Sequence, residues 1–149
     1  MYHEMIATLG GRAAEQIIFG HISTGALNDL EKVSKQAFAM VTYYGLNEKI
    51  GNVSYFDSTG QQDYALTKPY SEKTAETIDE EVSKLIENAY QEALRILNDN
   101  KEGLTKLAEK LLDKEVIFSD DLETIFGKRP WTSEERNPKT KNNDNTENQ

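Results

Sequence analysis

The sequence contains no cysteine, which excludes a disulfide framework and any zinc site built from thiolates. It contains no apolar run close to the roughly 20 residues that cross a bilayer. No signal-peptide pattern is visible either. We therefore expect this stretch of chain to be soluble.

Positive charge is scarce. The chain has 17 Lys and Arg against 26 Asp and Glu, a formal net charge of −9. Such a surface repels a phosphate backbone, and no basic stripe with interleaved aromatic residues is present. We expect no nucleic-acid partner, and we interpret the acidity as a contribution to solubility.

Histidine is nearly absent too, with only His3 and His21. His3-Glu4 resembles the start of a His-Glu-x-x-His zinc helix, but that helix needs a second His at position 7, where Ala7 cannot ligate a metal. If one helix joins them, His3 and His21 lie about 27 Å apart. An unrelated metal site made of His3, Glu4 and His21 is therefore disfavoured by spacing, and each His is expected to be an ordinary surface residue.

Apolar residues recur at spacings of three and four through most of the chain, which predicts a mainly α-helical bundle. The first helix should end at Gly20, with Gly10-Gly11 marking a break or a close backbone contact. The second should run from an N-cap at Asn28 to Gly45. Its expected buried stripe is Leu30, Val33, Ala37, Met40, Val41 and Tyr44.

A long spine helix is predicted over about residues 72–98, followed by a second helix folded back on it as a helical hairpin. The acidic residues of the spine are expected to face solvent: Asp79, Glu80, Glu81, Glu87 and Glu92. Ser119 should cap a last short helix. Residues 51–68 are compatible with a short β or extended segment. Residues 1–127 form the predicted domain, and 128–149 a polar tail expected to be disordered.

One acid stands apart from these surfaces. Asp29 follows the turn Ser23-Thr24-Gly25 and lies in the predicted first turn of the second helix. A carboxylate there is stabilised by the helix dipole and needs no further role. Local reasoning leaves a structural acid and a metal ligand as open alternatives, and it finds no complete catalytic site.

Several motifs in order resemble one family. They are Leu9-Gly10-Gly11-Arg12-Ala13-Ala14-Glu15, Ile18-Phe19-Gly20, Ser23-Thr24-Gly25-Ala26-Leu27-Asn28-Asp29-Leu30, Met40-Val41-Thr42 with Tyr44-Gly45-Leu46, Glu48-Lys49 with Gly51, Lys68-Pro69-Tyr70-Ser71, Ile78-Asp79-Glu80-Glu81-Val82 and Leu111-Leu112-Asp113-Lys114-Glu115. Over about residues 1–130 the chain resembles the peptidase domain of FtsH-type ATP-dependent zinc metalloproteases, the membrane AAA proteases.

The resemblance implies that this sequence contains only part of the catalytic site. In that family a His-Glu-x-x-His helix upstream supplies two zinc ligands and the Glu general base, so His3-Glu4 is a coincidence of letters. The third zinc ligand maps onto Asp29. The chain then contains a metal ligand and no catalytic residue, and by itself it should be inactive.

The resemblance also implies components beyond this sequence. These are ATP and Mg in an ATPase module, transmembrane helices, a homo-hexameric ring and a place on the cytoplasmic side of the inner membrane. The substrates would be unfolded and membrane proteins. The alternative is a non-enzymatic helical interaction module that joins or modulates a protease ring. Nothing within these residues separates the two interpretations.

Overall fold

The computed structural model describes residues 1–55 and 69–128, and nearly all of this part is helical. The helices are α1 (Tyr2–Phe19), α2 (Leu27–Thr42), α3 (Glu72–Asp99), α4 (Lys101–Lys114) and α5 (Ser119–Phe126), with a 3-10 turn at Thr24–Ala26. The predicted mainly α fold is confirmed. Residues 51–55 form no strand. The rest of the predicted β or extended segment, and the tail after Lys128, lie outside the described residues.

The first helix ends where the sequence predicts. Gly20 adopts the left-handed conformation, with φ of 71°, and its N–H bonds to the carbonyl of Gln16. A side chain with a Cβ disfavours that conformation, so glycine suits this position. The helix α1 continues through Gly10-Gly11 without a break. A Cβ at either position would meet nothing within 4 Å, so no other described element makes a close contact there.

The start and end of α2 differ from the prediction. Asn28 lies inside the helix, which begins at Leu27 after Ala26. The reason is the preceding 3-10 turn, which Ser23 caps by accepting a hydrogen bond from the Gly25 N–H. Helical geometry is therefore established before Asn28 is reached. The helix ends at Thr42, ahead of Gly45.

The spine helix is confirmed. α3 contains 28 residues, and the Ser71 hydroxyl caps it by accepting a hydrogen bond from the Thr74 N–H. At about 1.5 Å per residue it is about 42 Å long. It is the longest element of the compact unit Met1–Asn100, in which α1, α2 and α3 pack on one another.

The core of this unit is small and rich in alanine. Its fully buried cluster contains Met5, Leu9 and Ala13 from α1, Val33 and Ala37 from α2, and Ala89 and Ala93 from α3. Alanine at helix contacts lets the backbones approach closely. The larger partly buried residues, such as Leu85 and Tyr90, surround this cluster.

Two surface assignments from the sequence are wrong. Tyr44 was predicted to be buried but is 60% exposed, since α2 ends before it. Glu81 was predicted to face solvent but is only 8% exposed. The loop after α2 covers it: Lys49 Nζ lies 2.7 Å from Glu81 Oε1, and Asn47 Nδ2 donates to Glu81 Oε2 at 2.7 Å.

The second compact unit begins at Lys101, and its described part comprises α4, α5 and their connection. Ser119 is the first helical residue of α5 and not its cap, because Phe118 precedes the helix and donates its N–H to the Asp121 carboxylate at 3.1 Å. Asp121 also forms an ion pair with Lys110 of α4, at 2.5 Å. The helical hairpin between the third and fourth helices stays a prediction.

Across residues 1–55 and 69–128, no helix combines the length and the apolar character that a membrane span requires.

Candidate metal-ligand site at Asp29

Asp29 lies in the first turn of α2 with its side chain exposed. The predicted first-turn position is therefore confirmed. Its carboxylate forms no hydrogen bond or ion pair with any residue that the structure describes. A first-turn carboxylate interacts favourably with the helix dipole. It is also accessible, and both of its oxygens remain available to a ligand or a metal.

The turn that leads to Asp29 is attached to α1 by one carboxylate. Ser23 donates twice to Glu15, from its backbone N–H to Oε2 at 2.9 Å and from its hydroxyl to Oε1 at 3.0 Å. The Ser23 Oγ in turn accepts a hydrogen bond from the Gly25 N–H at 3.3 Å. These bonds connect the end of α1 to the 3-10 turn that runs into α2.

The same contacts alter the acidity of Glu15. The Ser23 N–H, followed by the Ser23 hydroxyl, lowers the pKa of the Glu15 carboxyl below its ordinary value of 4.5. The charge of Arg12 acts in the same direction to a smaller extent. Both Ser23 donors stabilise the ionised form, so Glu15 is an anion at neutral pH.

The other residues considered from the sequence lie apart and have local contacts. His3 is exposed with its ring centroid 6.4 Å from that of Tyr2, and the His21 ring stacks on Phe19 at 6.1 Å. Glu4 forms an ion pair with Lys32 of α2 at 3.1 Å. No group of three or more His, Cys, Asp or Glu side chains in the described part of the chain is arranged to hold a metal ion.

The described residues therefore supply only part of a metal site, the Asp29 carboxylate. One exposed carboxylate with unused oxygens can serve as a single oxygen ligand to zinc, while structural and catalytic zinc sites in proteins use three or four protein ligands. Asp29 fits the role of one such ligand. The sequence analysis assigned no role to Glu15. The only signal for this residue was that it is the last residue of the Leu9–Glu15 motif.

Comparisons with known proteins give the family. The profile of peptidase family M41 matches residues 1–125. The chain is 62% identical over 130 residues to the ATP-dependent zinc metalloprotease FtsH of Parabacteroides distasonis, covering 87% of this chain and 19% of that protein. It is 54% identical over 126 residues to the FtsH of Karelsulcia muelleri, covering 85% and 20%.

A eukaryotic relative is the mitochondrial inner membrane m-AAA protease component AFG3L2 of Mus musculus, 47% identical over 128 residues, with 86% of this chain and 16% of that protein covered. The chain thus spans about a fifth or less of the length of the curated relatives that it matches. The family profile and these relatives point to the same family as the motifs from Leu9 onward. The chain belongs to peptidase family M41, together with these FtsH-type proteins.

Proposed function

We propose that this chain acts as part of the proteolytic domain of an ATP-dependent, membrane-anchored zinc metalloprotease, in which Asp29 is a zinc ligand. The observation that carries the proposal is the accessible Asp29 carboxylate with no described partner, inside a match to family M41 that covers residues 1–125. A side chain carried by a helix is positioned more precisely than one on a loop, which suits a metal ligand.

The role of the chain's residues in that chemistry is to hold and orient. Asp29 would supply one oxygen ligand, and the remaining ligands and the general base would come from the His-Glu-x-x-His helix of the complete protein. When bound, zinc supplies Lewis acidity and lowers the pKa of a coordinated water. The helical unit of residues 1–100 would hold the Asp29 carboxylate in place for such a site.

The names of the relatives extend the proposal. They describe ATP-dependent zinc metalloproteases and a component of the m-AAA protease of the mitochondrial inner membrane. We infer that the complete protein uses ATP with Mg in an ATPase module, assembles as a homo-hexamer, acts on unfolded and membrane proteins, and works on the cytoplasmic side of the inner membrane. Helices α1 to α3 would then also serve as scaffold within the ring.

The isolated 149-residue chain provides a first test. With a single carboxylate ligand at Asp29 it should bind Zn²⁺ weakly by isothermal titration calorimetry and should not hydrolyse casein. Casein hydrolysis that a zinc chelator abolishes would contradict the proposed division of the catalytic site.

A chimaera provides the decisive test of Asp29. Residues 1–125 of this chain replace the matching segment of the Parabacteroides distasonis FtsH, and zinc content and ATP-dependent casein degradation are measured. Asp29→Asn should lose both. Asp120→Asn is the matched control, because Asp120 is also an exposed first-turn carboxylate but belongs to α5.

Each outcome separates the alternatives. Loss with Asp29→Asn and full retention with Asp120→Asn supports the ligand role. An active, zinc-loaded Asp29→Asn chimaera would contradict it. A chimaera that assembles into rings but neither retains zinc nor degrades casein, even with Asp29 intact, would favour the non-enzymatic interaction module.

A further inference from the structure

The start of α2 depends on support from another element. Its N-cap position is Ala26, and no side chain caps the helix by a hydrogen bond. The first turn of a helix leaves backbone N–H groups without intrahelical partners, so an uncapped start frays easily. Asp29 lies in this turn, and its carboxylate can therefore be no better ordered than the 3-10 turn before it.

That 3-10 turn is fixed through a chain of three hydrogen bonds. The Gly25 N–H donates to Ser23 Oγ at 3.3 Å, the Ser23 hydroxyl donates to Glu15 Oε1 at 3.0 Å, and the Ser23 N–H donates to Glu15 Oε2 at 2.9 Å. The hydroxyl has a single hydrogen, which it gives to Glu15. Its lone pairs are thereby directed toward Gly25, and each bond in such a chain polarises the next.

The helix that carries Glu15, where this series of hydrogen bonds begins, is anchored in the core. Glu15 projects from α1, whose Met5, Leu9 and Ala13 are buried in the core. Because Glu15 is anionic, both bonds from Ser23 are charge-assisted and stronger than bonds to a neutral acceptor. The Glu15 carboxylate thus holds the 3-10 turn that precedes α2 in a fixed position relative to α1.

We propose that Glu15 is a positioning residue for Asp29, acting through Ser23 and the 3-10 turn and not by contact with the metal. The proposal deepens the metal-ligand role of Asp29 and rests on it for its functional part. The mechanical part, that Glu15 orders the 3-10 turn, concerns the 149-residue chain alone.

Hydrogen exchange on the chain without metal tests the mechanical part. Glu15→Ala should reduce protection of the Ser23 amide, which loses its acceptor, and also of the Gly25 amide, whose own acceptor Oγ is still present. Core amides of α1 and α3 should keep their protection. Glu15→Gln, which retains an acceptor oxygen, should restore part of the protection at Gly25.

The matched control is Glu4→Ala. Glu4 lies on the same helix and also connects α1 to α2, through its ion pair with Lys32, but it does not contact the 3-10 turn. It separates positioning of the turn from a general loosening of α1 against α2. Unchanged protection of Ser23 and Gly25 in Glu15→Ala, or equal loss in Glu4→Ala, would overturn the proposal.

Zinc affinity of the FtsH chimaera tests the functional part. Outer residues that orient metal ligands typically change affinity about 10- to 100-fold when removed, so Glu15→Ala should weaken Zn²⁺ binding by about tenfold or more. Ser23→Ala removes the hydroxyl that joins Glu15 to the Gly25 N–H and should also weaken binding, and the double variant should lose less than the sum of the two single losses, because both substitutions interrupt the same set of hydrogen bonds. Glu4→Ala should leave affinity within about twofold.

The two parts fail separately. Unchanged zinc affinity in Asp29→Asn would refute the ligand role, and the exchange data would still decide whether Glu15 orders the turn. Loss of zinc in Asp29→Asn with full affinity in Glu15→Ala would retain the proposed function and refute the positioning role.

Discussion

Replacing Gly11 by alanine should stabilise this chain. Gly11 lies in the middle of α1, and a Cβ built there would meet nothing within 4 Å. Alanine is favoured over glycine in a helix interior by about 1 kcal/mol, chiefly because glycine loses more backbone entropy on folding. No steric term offsets this gain, so Gly11→Ala should raise the free energy of unfolding by about 1 kcal/mol.

The matched control is Gly103→Ala in α4. Gly103 lies in the first turn of α4, so the helix-propensity gain is at most about 1 kcal/mol, and here the added Cβ would overlap the ring of Phe126. Relieving such overpacking typically costs about 1–3 kcal/mol. The expected net effect lies between about zero and 3 kcal/mol of destabilisation, in contrast to the stabilisation expected at Gly11.

Urea denaturation followed by circular dichroism measures both variants. In a thermal melt of a cooperative unit of the size of Met1–Asn100, which contains Gly11, 1 kcal/mol corresponds to about 4–8 °C in melting temperature. Destabilisation by Gly11→Ala, or equal stabilisation by both substitutions, would refute the reasoning. The first result would mean that another part of the molecule fills the space next to α1.

Three further predictions concern the unit Met1–Asn100. Leu9→Ala should lower the free energy of unfolding by about 2–5 kcal/mol in urea titrations, since Leu9 is only 2% exposed, and a loss below about 1 kcal/mol would contradict its core role. Lys49, and then Asn47, lower the pKa of Glu81 below 4.5 in the folded protein. The contribution of Glu81 to the free energy of unfolding is therefore complete above pH 4.5, and it is lost as the pH falls through the lowered pKa of the folded state. Glu81→Gln should therefore weaken the acid dependence of the urea midpoint, and an equal effect of Glu76→Gln, at an exposed site on the same helix, would argue against this. Asp29→Asn should change stability by about 1 kcal/mol or less, and a larger loss would indicate a structural role for Asp29.

The sequence predicts the helices well because their burial pattern is periodic. Gly20 is a cap whose local chemistry suffices, and the structure places it at the end of α1 as expected. The start of α2 was misplaced because Asn28 is a good cap in isolation. The turn capped by Ser23 precedes it and establishes the helix earlier.

Contacts between distant residues account for the remaining errors. Glu81 is buried only because the loop containing Asn47 and Lys49 folds over it, and an acid on a polar helix face gives no sign of this. In the same way, the attachment of Ser23 to Glu15 is a tertiary contact. Periodicity identifies a face of a helix but not the element that covers it.

The candidate site was found by resemblance and not by local physics. A first-turn acid such as Asp29 is common, and helix-dipole stabilisation would explain it fully. The structure adds that its carboxylate is exposed and has no partner among the described residues.

The most direct measurement is a crystal structure of the zinc-loaded FtsH chimaera with anomalous data at the zinc edge. The account predicts an anomalous peak about 2.0–2.2 Å from an oxygen of Asp29, with the other ligands supplied by the FtsH portion. A zinc peak coordinated without Asp29, in a chimaera that degrades casein, would contradict the central claim.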